Sequence, residues 1–84
     1  MRFKNLEPGK LYRVSWVDIL EESSGHPDQA VPKVFRHTYH YYDMRHVVAG
    51  RKKITYLIFS AGEPPDYLHA ISIPEGCIAS IDPI

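Results

Sequence analysis

Apolar and polar residues alternate over Leu11-Tyr-Arg-Val-Ser-Trp-Val-Asp18, after the turn-forming pair Pro8-Gly9. A period of two predicts a half-buried strand whose inward face is Tyr12, Val14 and Trp16. Residues 19–33 break the pattern. Ser23-Ser-Gly-His-Pro-Asp28 is dense in turn formers and Pro32 follows, so a long loop is expected there. Phe35 to Val48 is rich in aromatic and β-branched residues. Phe35, His37, Tyr39 and Tyr41 share one parity, while Thr38, His40 and Tyr42 share the other. This predicts a long strand, bent or bulged near Asp43-Met44. Gly50-Arg51-Lys52 reads as a tight turn into Lys53–Ser60, which is apolar on both parities and expected to be central and covered on both sides. Gly62, Pro64 and Pro65 mark a loop, Leu68–Ile73 a fourth strand, Pro74-Glu-Gly76 a sharp interruption, and Cys77–Ile81 a short last strand with Ile78 and Ile81 turned to the core. Five short antiparallel strands with one long early loop suit a small barrel, which curls up and so protects its edges.

Length sets how such a barrel can be stabilised. The 84 residues make one domain, 1–84. A chain this short buries roughly 60–65% of the surface its unfolded form exposes. Cys77 is the only cysteine, so no internal disulfide can staple the fold, and apolar packing must hold it, with self-association as a further aid. Six Tyr, three Phe and one Trp supply that packing. A single thiol fits a reducing cytoplasm. No apolar run approaches the roughly 18 residues that span a bilayer, and the first residues carry no apolar signal-like core, so neither a membrane anchor nor a secretory signal is expected.

Formal net charge is zero, which argues against a generic nucleic-acid or membrane-surface binder. The charge is nevertheless segregated. Lys33 to Lys53 holds six Lys or Arg against one acid, Asp43, with three His besides. The flanking stretches, with Asp18, Glu21, Glu22 and Asp28 on one side and Glu63, Asp66, Glu75 and Asp82 on the other, are acidic.

The segment Ile71-Ser-Ile-Pro-Glu-Gly-Cys-Ile-Ala-Ser-Ile81 resembles the end of an SH3-like barrel, where a strand meets a proline, makes one 3₁₀ turn and leaves as a short closing strand. The resemblance implies an all-β fold: a small five-stranded antiparallel SH3-like barrel with a long loop after the first strand. It does not carry polyproline binding, because the single Trp lies in the first strand and not at the opening of the third. Trp16-Val-Asp18 and Ile73-Pro-Glu-Gly-Cys-Ile78 are also similar to motifs of short bacteriophage-encoded proteins of unknown function. That likeness implies a phage or prophage accessory protein acting inside a bacterial host, and implies no activity.

Catalytic and metal chemistry have little to stand on. His37, His40 and His46 lie close in sequence, but an odd separation puts His37 and His40 on opposite faces of a strand, and ordinary half-exposed histidines are the simpler reading than a zinc site with Cys77. Cys77 sits in an apolar segment and reads as a small buried hydrophobe. Asp18, Glu21 and Glu22 read as a solvated loop face, with Asp18 suited to accept N–H groups of the loop it enters. The Gly62 loop lacks the order of a phosphate cradle. No cofactor, metal or catalytic set is therefore expected. The stretch that stands out interleaves cations with rings: Arg36, Tyr39, His40, Tyr42, Arg45, Arg51 and Lys52, with Lys53 beside them. Such a surface suits a protein partner, since Tyr and Arg dominate interface hot spots. It also suits single-stranded nucleic acid, through stacking and phosphate contacts. In the plainest alternative Tyr39 and Tyr41 are core and Arg51-Lys52 decorate a turn. The leading expectation is a non-enzymatic protein that binds and modulates or inhibits a host or phage protein, with the 19–33 loop as a second contact and a homodimer as a possible assembly. A nucleic-acid-binding barrel and a sequestering protein for a small nucleotide signal are the alternatives.

Overall fold

The computed structural model describes residues 3–18 and 32–84, and the expected 19–33 loop falls almost wholly outside them. Among the described residues five strands form one antiparallel sheet: β1 (Leu11–Asp18), β2 (Lys33–Ala49), β3 (Lys52–Ser60), β4 (Ala70–Pro74) and β5 (Ile78–Pro83), in the spatial order β4-β3-β2-β1-β5. No helix among the described residues is long and apolar enough to cross a membrane.

Alternation decides the core. Tyr12, Val14 and Trp16 point inward from β1, and they meet Tyr39 and Tyr41 from β2, Leu57 and Phe59 from β3, Ile73 from β4 and Ile78 from β5. Ile81 packs at the margin with Phe3, Leu6, Met44, Ile71 and Cys77. The rings are layered. Phe59 lies 6.0 Å from Tyr39 and 5.8 Å from Tyr41, and Trp16 lies 5.8 Å from Tyr39 and 5.7 Å from Phe35.

The bulge in β2 has a parity cause. Tyr41 opposes Phe59 and Met44 opposes Leu57, so both face the core although they are three residues apart. One extra residue must be absorbed. Tyr42 and Asp43 together oppose Ile58, which leaves Asp43 on the outer side with Tyr42, returns Met44 to the core and bends the strand. The bend lets β2 pair with β1 over Lys33–His40 and with β3 over His40–Ala49.

The last strands force the sheet to roll. β4 and β5 are its two edges, about 19 Å apart if five strands lay flat. They are joined only by the 3₁₀ turn Glu75–Cys77, which rises about 6 Å. The edges therefore approach each other, although the sheet is not closed by a ladder between them.

Two expectations are refined. β2, not β3, is the central strand; β3 has one buried face and one half-buried face of Ile54, Tyr56 and Ile58. Leu68 and His69 belong to the preceding loop, not to β4, because the Leu68 carbonyl bonds back to Ser60 Oγ and to Gly62 N (3.0 Å), and His69 adopts φ of 59°.

Burial raises the hydroxyl pKa of Tyr39 and of Tyr41 above the ordinary 10.0, with Asp43 and Tyr12 adding to the rise at Tyr41. A raised folded-state value contributes stability that is complete below the unfolded pKa and is lost as pH climbs through the folded one. We expect both phenols to ionise late, and the chain to lose stability above about pH 10. Following tyrosinate absorbance and circular dichroism together tests this. Full ionisation of every tyrosine at the ordinary pH, with the fold intact, would contradict it.

Candidate functional site

The seven residues of the expected surface do not form one patch. Tyr39 is corrected to the core: it is buried, with His37 stacked on its ring at 4.5 Å. Tyr42 goes the other way, exposed on the opposite face of the strand from Tyr39 and Tyr41. His40 is half-buried, and its Nδ1 has no hydrogen-bond partner among the described residues. Arg36, Arg45, Arg51 and Lys52 are exposed. At about 3.3 Å per strand residue, Arg36 and Arg45 lie about 30 Å apart along β2. The structure divides the surface into three regions.

The first is the far end of the β2–β3 hairpin. Its outermost pairs, His46↔Thr55, Val47↔Ile54, Val48↔Lys53 and Ala49↔Lys52, lie beyond the reach of β1 on one side and β4 on the other, so a two-stranded ribbon runs on past the sheet. A ribbon without further strands is marginal by itself. This one carries a cross-strand contact between His46 Nδ1 and Thr55 Oγ1 at 3.0 Å. Val47 and Val48 are 49% and 73% exposed at its tip. They point to opposite faces of the ribbon, Val48 opposite Lys53 and Val47 on the face of Lys52, with Arg51 in the turn, and the sequence holds no acid from Met44 to Gly62. At the ribbon's base, Arg45 Nε donates to Asp43 at 3.1 Å. The Met44 N–H and then Arg45 hold the Asp43 carboxyl below its ordinary value. The tip cations thus carry the ribbon's net charge.

The second region is a shallow depression of about 570 Å³ on the outer face of β5-β1-β2. Register sets Asp82 beside Arg13 and Thr38, and Ser80 beside Ser15 and Arg36. Two arginines against one aspartate, among hydroxyls, make it weakly cationic. Sequence reading singled out Arg36 but missed Arg13, Ser80 and Asp82, because only the register across three strands brings them together.

The third is a smaller pocket of about 250 Å³ where the 61–69 loop folds over the outer face of β3. Tyr42 meets Tyr67 there, ring centroids 4.8 Å apart and planes at 71°. Tyr67 was missed as well; its sequence signal is only a tyrosine after Pro-Pro-Asp. The expected histidine group does not assemble: His37 stacks on Tyr39, His46 contacts Thr55, and Cys77 is half-buried against the core. The proposed capping task of Asp18 involves the loop outside the described residues.

The chain matches no protein-family model, no curated protein and no solved structure.

Proposed function

We propose that this chain is a non-enzymatic binding module, built as an SH3-like barrel, that docks on an acidic protein surface through the tip of its β2–β3 ribbon. One observation carries the reading: a ribbon that outruns the rest of the sheet exposes a valine on each face, Val47 on the face of Lys52 and Val48 opposite Lys53, with Arg51 in the turn between the strands. An exposed apolar side chain near a cation on either face suits a partner that grips the ribbon from both sides. Burying the two valines adds about 1–2 kcal/mol each, and the cations select an acidic partner and speed encounter. The 3₁₀ passage between β4 and β5, and the roll it enforces, support the barrel reading. The similarity of Trp16–Asp18 and Ile73–Ile78 to phage-encoded proteins supports a phage or prophage accessory protein, working in the host cytoplasm, that modulates or inhibits what it binds.

The test is a tagged pull-down from a bacterial host, comparing the native chain with the triple variant Arg51→Glu, Lys52→Glu, Lys53→Glu. All three side chains are exposed, so circular dichroism and thermal unfolding should be unchanged. The partner recovered with the native chain should be lost with the variant. Equal recovery of every partner overturns the reading. So does tight oligonucleotide binding that falls steeply with salt, which would transfer the ribbon to nucleic acid. Dimerisation abolished by the same variant would assign it to a second copy.

A further inference from the structure

The pocket between the 61–69 loop and β3 has a built character that the ribbon tip lacks. Its walls are the rings of Tyr42 and Tyr67 with Pro65, its base is Ile58 and Ser60, and Asp66 stands on its rim. The two tyrosines meet edge to face, so they form two sides of a corner and cannot close it by stacking on each other. Among the described residues no Lys or Arg lines the pocket, and the loop itself carries two acids, Glu63 and Asp66, without either cation. Faces of aromatic rings present negative charge density, and a carboxylate beside them adds a full charge.

The corner is also held in place. The buried Ser60 hydroxyl donates to the Leu68 carbonyl and accepts from the Gly62 N–H at 3.1 Å. The Tyr67 N–H donates to the Glu63 carbonyl at 3.0 Å, and Tyr67 adopts φ of 47°, a conformation L residues avoid without support. Gly9 abuts the loop from the other side: a Cβ there would stand 3.3 Å from the Tyr67 hydroxyl and 3.2 Å from Pro64. A receptor ordered before its ligand arrives loses little entropy on binding. At about 250 Å³ the pocket is below the usual size of a small-molecule site, and fits one extended side chain.

We propose that this corner is a receptor for one cationic side chain, a lysine ammonium or an arginine guanidinium presented by a protein chain, with Tyr42 and Tyr67 facing the charge and Asp66 pairing with it. The site lies on a different surface from the ribbon tip, and neither reading depends on the other.

The experiment is an amide-resolved NMR titration of the intact chain with N-acetyl-lysine methylamide and N-acetyl-arginine methylamide. The neutral isostere N-acetyl-norleucine methylamide serves as comparison. The cations should shift the amides of Tyr42, Asp66 and Tyr67, and the isostere should bind about tenfold more weakly. Tyr67→Leu should lose about tenfold and Tyr67→Phe almost nothing. Asp66→Asn, at an exposed position that leaves the fold alone, should weaken cation binding about fivefold and flatten its salt dependence. If Tyr67→Leu disturbs the loop, the Asp66→Asn result decides. Equal affinity for the neutral isostere overturns the proposal, as does the absence of shifts in these amides at about 50 mM of either cation.

Discussion

Phe59→Ala should be among the most destabilising single substitutions in this chain. Phe59 is fully buried at the centre of the core, opposite Tyr41 in β2 and Ile71 in β4, with its ring against Tyr39 and Tyr41. Its loss removes about 3–5 kcal/mol, the transfer term of the ring plus the cavity left behind. Domains have roughly 0.05–0.15 kcal/mol of stability per residue, so a chain of this length holds about 4–12 kcal/mol in all. The substitution takes about a quarter or more of that. Relaxation into the cavity is limited, because the surrounding rings come from strands fixed on both sides. Phe59→Leu, which keeps most of the volume, should cost clearly less, about 1–1.5 kcal/mol. Urea unfolding monitored by Trp16 fluorescence measures both. A loss under about 1.5 kcal/mol for the alanine variant would show that the core is not organised around this ring.

Gly62→Ala should detach the 61–69 loop from the sheet. A Cβ at Gly62 would lie 2.7 Å from the Leu68 nitrogen, 3.0 Å from its carbonyl oxygen and 3.3 Å from its Cα. All three are backbone atoms, so no side chain can swing aside, and either the loop or β3 must shift. The shift breaks the bonds that close the loop: Gly62 N–H to the Leu68 carbonyl, the Ser60 hydroxyl to the same oxygen, and Ala61 N–H to the His69 carbonyl at 3.3 Å. Ser60 is fully buried, so a broken bond leaves its hydroxyl unsatisfied. The sum is about 2–3 kcal/mol. Gly76→Ala makes a sharp comparison, since a Cβ there meets nothing within 4 Å, and it should be almost neutral. Hydrogen exchange gives the readout that a global melting curve blurs. The amides of Ala61, Gly62 and Tyr67 should lose protection in the Gly62 variant while those of β1 keep theirs. Unchanged protection in the loop would mean that it is not held by this close approach.

These two positions differ in how openly the sequence announces them. Phe59 lies in the most apolar run of the chain, and its burial is expected from composition alone. Gly62 looks like any loop glycine beside two prolines; its role depends on Leu68, six residues on, arriving against it. The same contrast runs through the candidate sites. Tyr39 and Tyr42 are the same residue type in one strand, and one is core while the other is surface. Their parity predicts opposite faces, but not which face is covered. Tyr41 and Met44 both face inward only because Tyr42 and Asp43 share one place in the ladder, and that follows from pairing with β3.

Alternation and turn chemistry determined the all-β class, the inward row Tyr12-Val14-Trp16, the β2–β3 hairpin and a sharp break at Pro74–Gly76, because both are local properties of the chain, while the 3₁₀ form of that break was implied by the resemblance to an SH3-like ending. The tertiary structure decided which strand is central, how the edges approach, that the hairpin tip stands clear of its neighbours, and that Tyr67 meets Tyr42. Those outcomes depend on register and loop return between residues distant in sequence, where the free energy belongs to pairs and no single residue carries a mark of its partner.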